Sequence, residues 1–134
     1  MKEMELITTK ICMTLDLGVN ANLFGGNMMS FLDESGAAFV YQFCETTNIV
    51  TKKVEEVIFQ NPVKVGNLIK IYGSVDKVGN TSITINLEAR KYNVQTSQEK
   101  LVCSTKMVFV HIDEENGPVP IPEKIRLKIS SVQR

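Results

Sequence analysis

NANLFGGNMMSFLDESGA, residues 20–37, passes from turn chemistry to helix chemistry within a few positions, and this change decides the fold. The stretch Gly18 to Gly26 carries three glycines and two asparagines, residues that favour loops. From Asn27 the chain then runs without proline or further interruption to Asn48. A helix is expected over about Asn27–Cys44, because Met28, Leu32, Phe39 and Phe43 recur near helical spacing. At ~1.5 Å per residue it would be roughly 27 Å long. Gly36, Ala37 and Ala38 give its middle a narrow surface that a sheet can approach closely. The helix is apolar on more than one face, so it should be wrapped by other structure rather than lie on a surface.

The segments on either side supply the wrapping. Before the glycines, Ile11, Met13, Leu15 and Leu17 alternate with period two, which predicts a first strand ending near Leu17. After the helix, four strand-like runs follow at about Ile49–Gln60, Leu68–Lys77, Thr81–Asn93 and Leu101–Ile112. Asn61, Pro62 and the Gly66-Asn67 pair break the first two runs apart, and Gly79-Asn80 is a two-residue hairpin signal. Ile83, Ile85, Leu87 and Ala89 alternate with polar residues, as do Val102, Val108, Val110 and Ile112, so an antiparallel sheet with one buried face is expected. One long helix enclosed by one curled sheet is a two-layer α+β fold. The acidic, proline-rich stretch from Asp113 predicts an extended or poorly ordered tail over about 113–134.

Composition narrows the function classes. A chain of 134 residues, 43% hydrophobic, suits a single domain with one core. Fifteen basic residues balance fifteen acidic ones, which removes the electrostatic footprint of a nucleic-acid or membrane partner. The longest apolar run, Ala37 to Tyr41, is far short of a membrane span. Cys12, Cys44 and Cys103 lie far apart with neither a C-x-x-C pattern nor a histidine ligand pattern nearby. They predict buried thiols in a reducing cytoplasm, with no disulfide framework and no metal site.

Two features carry chemistry. Gly25 and Gly26 stand directly before the helix, where its first N–H groups are unobstructed and the macrodipole places about half a positive charge. Such a terminus can polarise a carbonyl or hold an oxyanion, or it can be a plain glycine hinge. Asp33 shares a helical stripe with Met29, Gly36, Ala37 and Val40, so its carboxylate is expected to face packed or weakly hydrated surroundings. The alternative is a carboxylate that caps a loop or pairs with a lysine. Glu34 shares a more polar stripe with Ser30, Ala38 and Tyr41, which favours Asp33 as the working group.

These motifs resemble the hotdog-fold acyl-CoA thioesterases, also called acyl-CoA hydrolases, in which an Asn-x-x-Gly-Gly loop precedes a helix bearing an acidic residue. The likeness continues through TKKVEEVIFQNPV (51–63), VKVGNLI and VGNTSITINLE, and spans roughly Asp16 to Ile112. It implies a hotdog fold, a coenzyme A thioester as substrate, and a functional dimer, assembled further as a trimer of dimers. Carried over, Asp33 would be the catalytic carboxylate and Asn22 would orient water or the thioester. Gly25 and Gly26 would offer backbone N–H groups to the carbonyl. Lys77, Asn80, Thr81 and Ser82, around the Gly79-Asn80 hairpin, match a segment that lies beside bound coenzyme A in the family. No separate cofactor is implied, coenzyme A being part of substrate and product.

The residues give their own reason for a dimer. Asp33 lies seven residues past Gly26, or roughly 10 Å along the helix at ~1.5 Å per residue, too far for one short side chain to meet a carbonyl held at the glycines. The carboxylate of one subunit should therefore meet the glycine loop of another. Two other functions share these features. A hotdog dehydratase or hydratase of 3-hydroxyacyl thioesters would need a histidine beside the glycine loop, and the chain has only His111, at the end of the last run. A non-catalytic acyl-CoA-binding module would use the same groove without turnover.

Overall fold

A computed structural model describes residues 3–132. The helix α1 spans Gly25–Cys44 and is enclosed by six antiparallel strands: β1 (Glu5–Ile11), β2 (Ile49–Val54), β3 (Ile58–Phe59), β4 (Leu68–Val78), β5 (Ser82–Tyr92) and β6 (Glu99–His111). The strand order is β1-β4-β5-β6-β2, and β3 continues the β2 edge by pairing with a different part of β6. A second helix, α2, covers Glu123–Val132.

The core forms where α1 meets the concave face of the sheet. Met28, Leu32, Phe39 and Val40 are buried on the helix, against Ile69 and Ile71 of β4, Ile83, Ile85 and Leu87 of β5, and Met107 and Phe109 of β6. Gly36 sets how closely the two layers approach. A Cβ placed there would stand 3.1 Å from Leu87 Cδ1 and 3.3 Å from both Ile85 Cδ1 and Phe109 Cζ. The narrow middle expected from Gly36-Ala37-Ala38 is the contact on which the sheet rests.

The structure corrects three expectations. Residues 11–17 are not a strand: β1 ends at Ile11, and Thr14–Asp16 is a single 3-10 turn. Of the alternating side chains Ile11, Met13 and Leu15 are exposed, Leu15 by 94%, and only Leu17 packs against the core. The Asp16 carboxylate accepts the Met13 N–H at 2.8 Å, a local bond that competes with a sheet ladder. Within β6, the residues opposite Ile83, Ile85, Leu87 and Ala89 are Phe109, Met107, Thr105 and Cys103, so the odd-numbered set faces the core. Val102 and Val110 of the even-numbered set are nevertheless buried and Val108 is half-buried, so β6 is covered on both faces at these positions.

The expected extended tail is corrected as well. After Asp113 the chain turns, and the Asp113 carboxylate accepts the N–H groups of Glu115 and Gly117 at 2.9 Å each. It then docks through Val119 N–H to His111 O (2.9 Å) and Ile121 N–H to Asn80 O (2.8 Å), before entering α2. Ile121 and Ile125 are buried and close the far end of the core. Lys124 and Lys128 bind Glu45 at 3.3 and 2.8 Å, and Lys128 also donates to the Phe43 carbonyl at the end of α1.

Gly36→Leu should destabilise the protein by roughly 1–3 kcal/mol, since the added side chain must displace three packed neighbours. Thermal unfolding followed by circular dichroism would show this as a lowered midpoint, and an unchanged midpoint would contradict the close seat of the helix.

Candidate active site

The start of α1 is a helix end without a cap. Its N-cap residue, Phe24, offers no side-chain hydrogen bond, and the first turn holds no acidic residue. Asn27 and Met28 donate to Phe24 O at 3.0 and 3.1 Å. Among the described residues the Gly25 and Gly26 N–H groups have no acceptor. Two orphan donors at the positive end of a 20-residue helix are aimed to donate to a group carrying partial negative charge.

The loop before them is held in place by backbone bonds: Gly18 N–H to Asn22 O (2.8 Å), Leu23 N–H to Val63 O (2.7 Å) and Phe24 N–H to Asp16 O (3.0 Å). The Asn27 side chain also donates to Asp16 O at 2.9 Å. A cleft of about 360 Å³ opens beside this loop, lined by Asn22, Gly25, Met28, Phe59, Val63 and Val102 among others. It is mainly apolar and of a size that takes part of a small ligand. Asn22 and Gly25 are thus brought together, and the Asn22 Oδ1 accepts a hydrogen bond from Lys64 Nζ at 3.1 Å.

Asp33 is placed elsewhere, and its expected surroundings are corrected. In the single chain it is exposed, standing beside the sheet's β2 edge, where the Thr51 hydroxyl donates to its Oδ1 at 2.7 Å. The β2–β6 ladder shifts register immediately after Thr51, between Thr51 and Lys53. Such a bulge re-aims the side chains next to it. Periodicity carries no signal for this partner, because Thr51 lies 18 residues away and its position depends on a bulge. The edge that Asp33 overlooks is open and carries exposed apolar side chains, Val50, Val54, Ile58 and Phe59, interleaved with exposed Lys52, Lys53 and Glu56. Phe24, Leu15 and Val19, in and around the glycine loop, are exposed too.

The hairpin residues stand at a third place. Gly79 N–H donates to Ser82 O at 2.7 Å, which closes the turn. Ser82 pairs with Val110, whereas the cleft lies beside Val102 and Phe59, and Phe59 pairs with Cys103. Those seven residues of β6 put the hairpin roughly 23 Å from the cleft within one chain, at ~3.3 Å per residue. Asn80 is also engaged with the C-terminal segment, its Oδ1 accepting from Arg126 at 3.4 Å and its carbonyl from Ile121. Lys77 is exposed and Thr81 half-buried nearby. His111 sits at this same end, with Nδ1 3.1 Å from Pro120 O, and so is not beside the glycine loop. Among the described residues no cluster of His, Cys, Asp or Glu is arranged to hold a metal ion, and no helix is long and apolar enough to cross a membrane.

Residues 20–97, more than half of the chain, match the thioesterase superfamily. The chain belongs to this superfamily. An acyl-CoA thioester hydrolase of Salmonella typhimurium is 31% identical over 121 residues, covering 88% of this chain and 90% of the relative. A hexameric broad-specificity acyl-coenzyme A thioesterase superposes with a TM-score of 0.88 at 26% identity, over 98% of this chain and 96% of the other. A hexameric hotdog-fold thioesterase of Campylobacter jejuni does so with a TM-score of 0.81 at 27% identity, over 92% and 95%. The α+β architecture, one long helix in a curved antiparallel sheet, is the hotdog fold of this thioesterase superfamily.

The three cysteines are free and buried. Burial pushes the Cys44 and Cys103 thiols from 9.0 up to about 11, and raises Cys12 too, helped by the Asp16 carboxylate. Near pH 8 the native thioesterase-family chain should therefore react slowly with a disulfide reagent, and all three thiols should appear once guanidinium unfolds it. Three rapidly reacting native thiols would contradict the packing. Below 9.0 these thiols are protonated in both folded and unfolded chains. Between 9.0 and about 11 only the unfolded chain ionises, so stability should fall as pH rises through that window. Denaturant midpoints measured on both sides of 9.0 check the sign, and Cys44→Ala with Cys103→Ala should flatten the slope.

Proposed function

We propose that the protein hydrolyses an acyl-CoA thioester to the free carboxylic acid and coenzyme A, at sites formed between two copies of the chain. The observation that carries this reading is the pair of orphan N–H groups on Gly25 and Gly26, opening beside an apolar cleft at an uncapped helix terminus. The thioester carbonyl oxygen accepts from these donors, whose interaction strengthens as negative charge develops on it in the tetrahedral intermediate. Asn22, on the cleft wall, orients the carbonyl or the attacking water. Asp33 either takes a proton from water as a general base or attacks the carbonyl carbon to give a mixed anhydride that water then opens. In both routes the C–S bond breaks, coenzyme A leaves as thiolate and takes up a proton, and water supplies the acid's new oxygen.

The carboxylate belongs to a second copy. Asp33 and the glycine loop lie along the same open edge, with Asp33 at Thr51 of β2 and Gly25 near Phe59 of β3. Antiparallel pairing of two such edges reverses direction, so the Thr51 end of one copy moves toward the Phe59 end of the other. The exposed row of Val50, Val54, Ile58 and Phe59 is the apolar surface such pairing would bury. The same reversal carries the hairpin of one copy toward the partner's cleft. Lys77, Asn80, Thr81 and Ser82 are then placed to meet the coenzyme A part of the substrate.

We infer a dimer at minimum, arranged as a trimer of dimers, as the solved relatives described as hexameric support. No cofactor beyond the substrate's coenzyme A is required. The balanced charge gives no general field for nucleic acid or membrane. The buried free thiols suit a reducing cytoplasm. A dehydratase reading lacks its histidine, since His111 stands at the hairpin end.

With a panel of acyl-CoA esters and thiol release as the readout, Asp33→Asn should lower kcat by a factor on the order of 10² to 10⁴ while leaving the fold intact. Glu34→Gln should do far less, and equal effects would contradict the assignment. Mixed dimers of Asn22→Ala and Asp33→Ala chains should keep one intact site each. Inactive mixed dimers would place both residues in one chain, and no turnover of any ester by the unaltered protein would leave a binding module.

A further inference from the structure

The turn at Val63–Asn67, part of the VKVGNLI motif, has no role in the chemistry proposed above, yet it is built to hold one position. Asn67 N–H donates to Lys64 O at 3.1 Å, and Gly66 takes a φ of 87°. This is the positive φ required at the third residue of a type II turn, which glycine adopts without strain. The Lys64 N–H donates in turn to Asn67 Oδ1 at 2.8 Å. Two further bonds fasten the turn to buried Cys12: Gly66 N–H to Cys12 O at 2.8 Å and Cys12 N–H to Asn67 O at 3.0 Å. On its other side, Leu23 N–H donates to Val63 O at 2.7 Å, which fixes the turn against the glycine loop. Lys64 therefore projects from a braced backbone, and its ammonium donates to Asn22 Oδ1 at 3.1 Å.

We propose that Lys64 is a positioning residue that fixes which edge of the Asn22 amide faces the substrate. An ammonium has three donors and no acceptor, so the amide atom that meets it is the oxygen. With Oδ1 held on the lysine side, the Nδ2 hydrogens are the edge left for the cleft. Asn22 is thereby a donor toward the thioester carbonyl or the oxygen of the attacking water. Without the lysine, the broad terminal torsion of asparagine lets either edge face the cleft, and part of the population would present an acceptor to an acceptor. The adjacent positive charge also polarises the amide and strengthens the Nδ2 donor. This inference rests on the reading of Asn22 as a group that faces the substrate.

The test compares kcat and KM for thiol release by the assembled protein and by Lys64→Met, Lys64→Arg, Asn22→Ala and the double variant Asn22→Ala/Lys64→Met. Lys64→Met should lower kcat about tenfold, equivalent to ~1.4 kcal/mol, with KM little changed. Lys64→Arg should restore most of the rate, because it keeps a cationic donor. The double variant should be no slower than Asn22→Ala alone, since the lysine acts through that residue. Multiplying effects would overturn the proposal, as would a loss confined to KM, which marks a lysine that meets the substrate's phosphates. An impaired Asn22→Ala with an unimpaired Lys64→Met would overturn the positioning role and leave the thioesterase reading standing. A wild-type rate in Asn22→Ala would remove the role of Asn22 and the proposal with it. A crystal structure of Lys64→Met gives a readout independent of turnover: the Asn22 amide should lose its fixed orientation, and an unchanged amide would overturn the inference.

Discussion

The close seat of α1 on the concave sheet is the contact on which everything else depends. At position 36 even a methyl group would press on Leu87, Ile85 and Phe109, at 3.1 to 3.3 Å, so glycine gives the closest seat. Held there by its middle, a 20-residue helix, about 30 Å long, projects both ways from the contact. One end opens uncapped beside the β3 side of the sheet, and the other is tied to α2 through Glu45 and Lys128. The anchoring of one end and the bareness of the other are two results of one placement. The helix dipole is left with unpaired N–H groups at the terminus that opens beside the cleft.

The same placement divides the proposed chemistry. The donors at Gly25 and Gly26 and the carboxylate of Asp33 are carried on one rigid helix, so their separation cannot be closed by side-chain motion. Asp33 is also exposed, held by Thr51 at an open edge with exposed valines. A lone chain would leave this carboxylate in water and the β2 edge unpaired, an arrangement prone to self-association. In the proposed function, a second copy relieves both conditions and completes the site. In that reading, assembly and chemistry rest on one surface.

Much of this was legible in the sequence, for local reasons. The Gly-Gly pair and the absence of proline placed the helix start within two residues of its observed position at Gly25. The Gly79-Asn80 turn and the Ile83-Ile85-Leu87 alternation fixed the hairpin and the buried face of β5. Failures arose where a polar side chain or a distant partner decided the outcome. Asp16 converts the Ile11–Leu17 alternation into a turn by binding Met13 N–H. The C-terminal segment gains much of its order from Asn80 and Glu45, which are far away in the chain, although Ile121 and Ile125 at helical spacing after prolines were an available hint. The partners of the two candidate polar residues, Thr51 for Asp33 and Lys64 for Asn22, stand 18 and 42 residues away. Their meeting depends on a bulge and a braced turn, which periodicity does not register.

The central claim is that one site draws on two chains, and a crystal structure of the assembled protein with an acyl-CoA analogue, in which a methylene replaces the thioester sulfur, tests it most directly. The account predicts that the analogue's carbonyl oxygen accepts from the Gly25 or Gly26 N–H of one protomer, while Asp33 of the partner subunit stands within reach of the carbonyl carbon. A carbonyl bound away from the glycines, or approached by the carboxylate of the same chain, would contradict it.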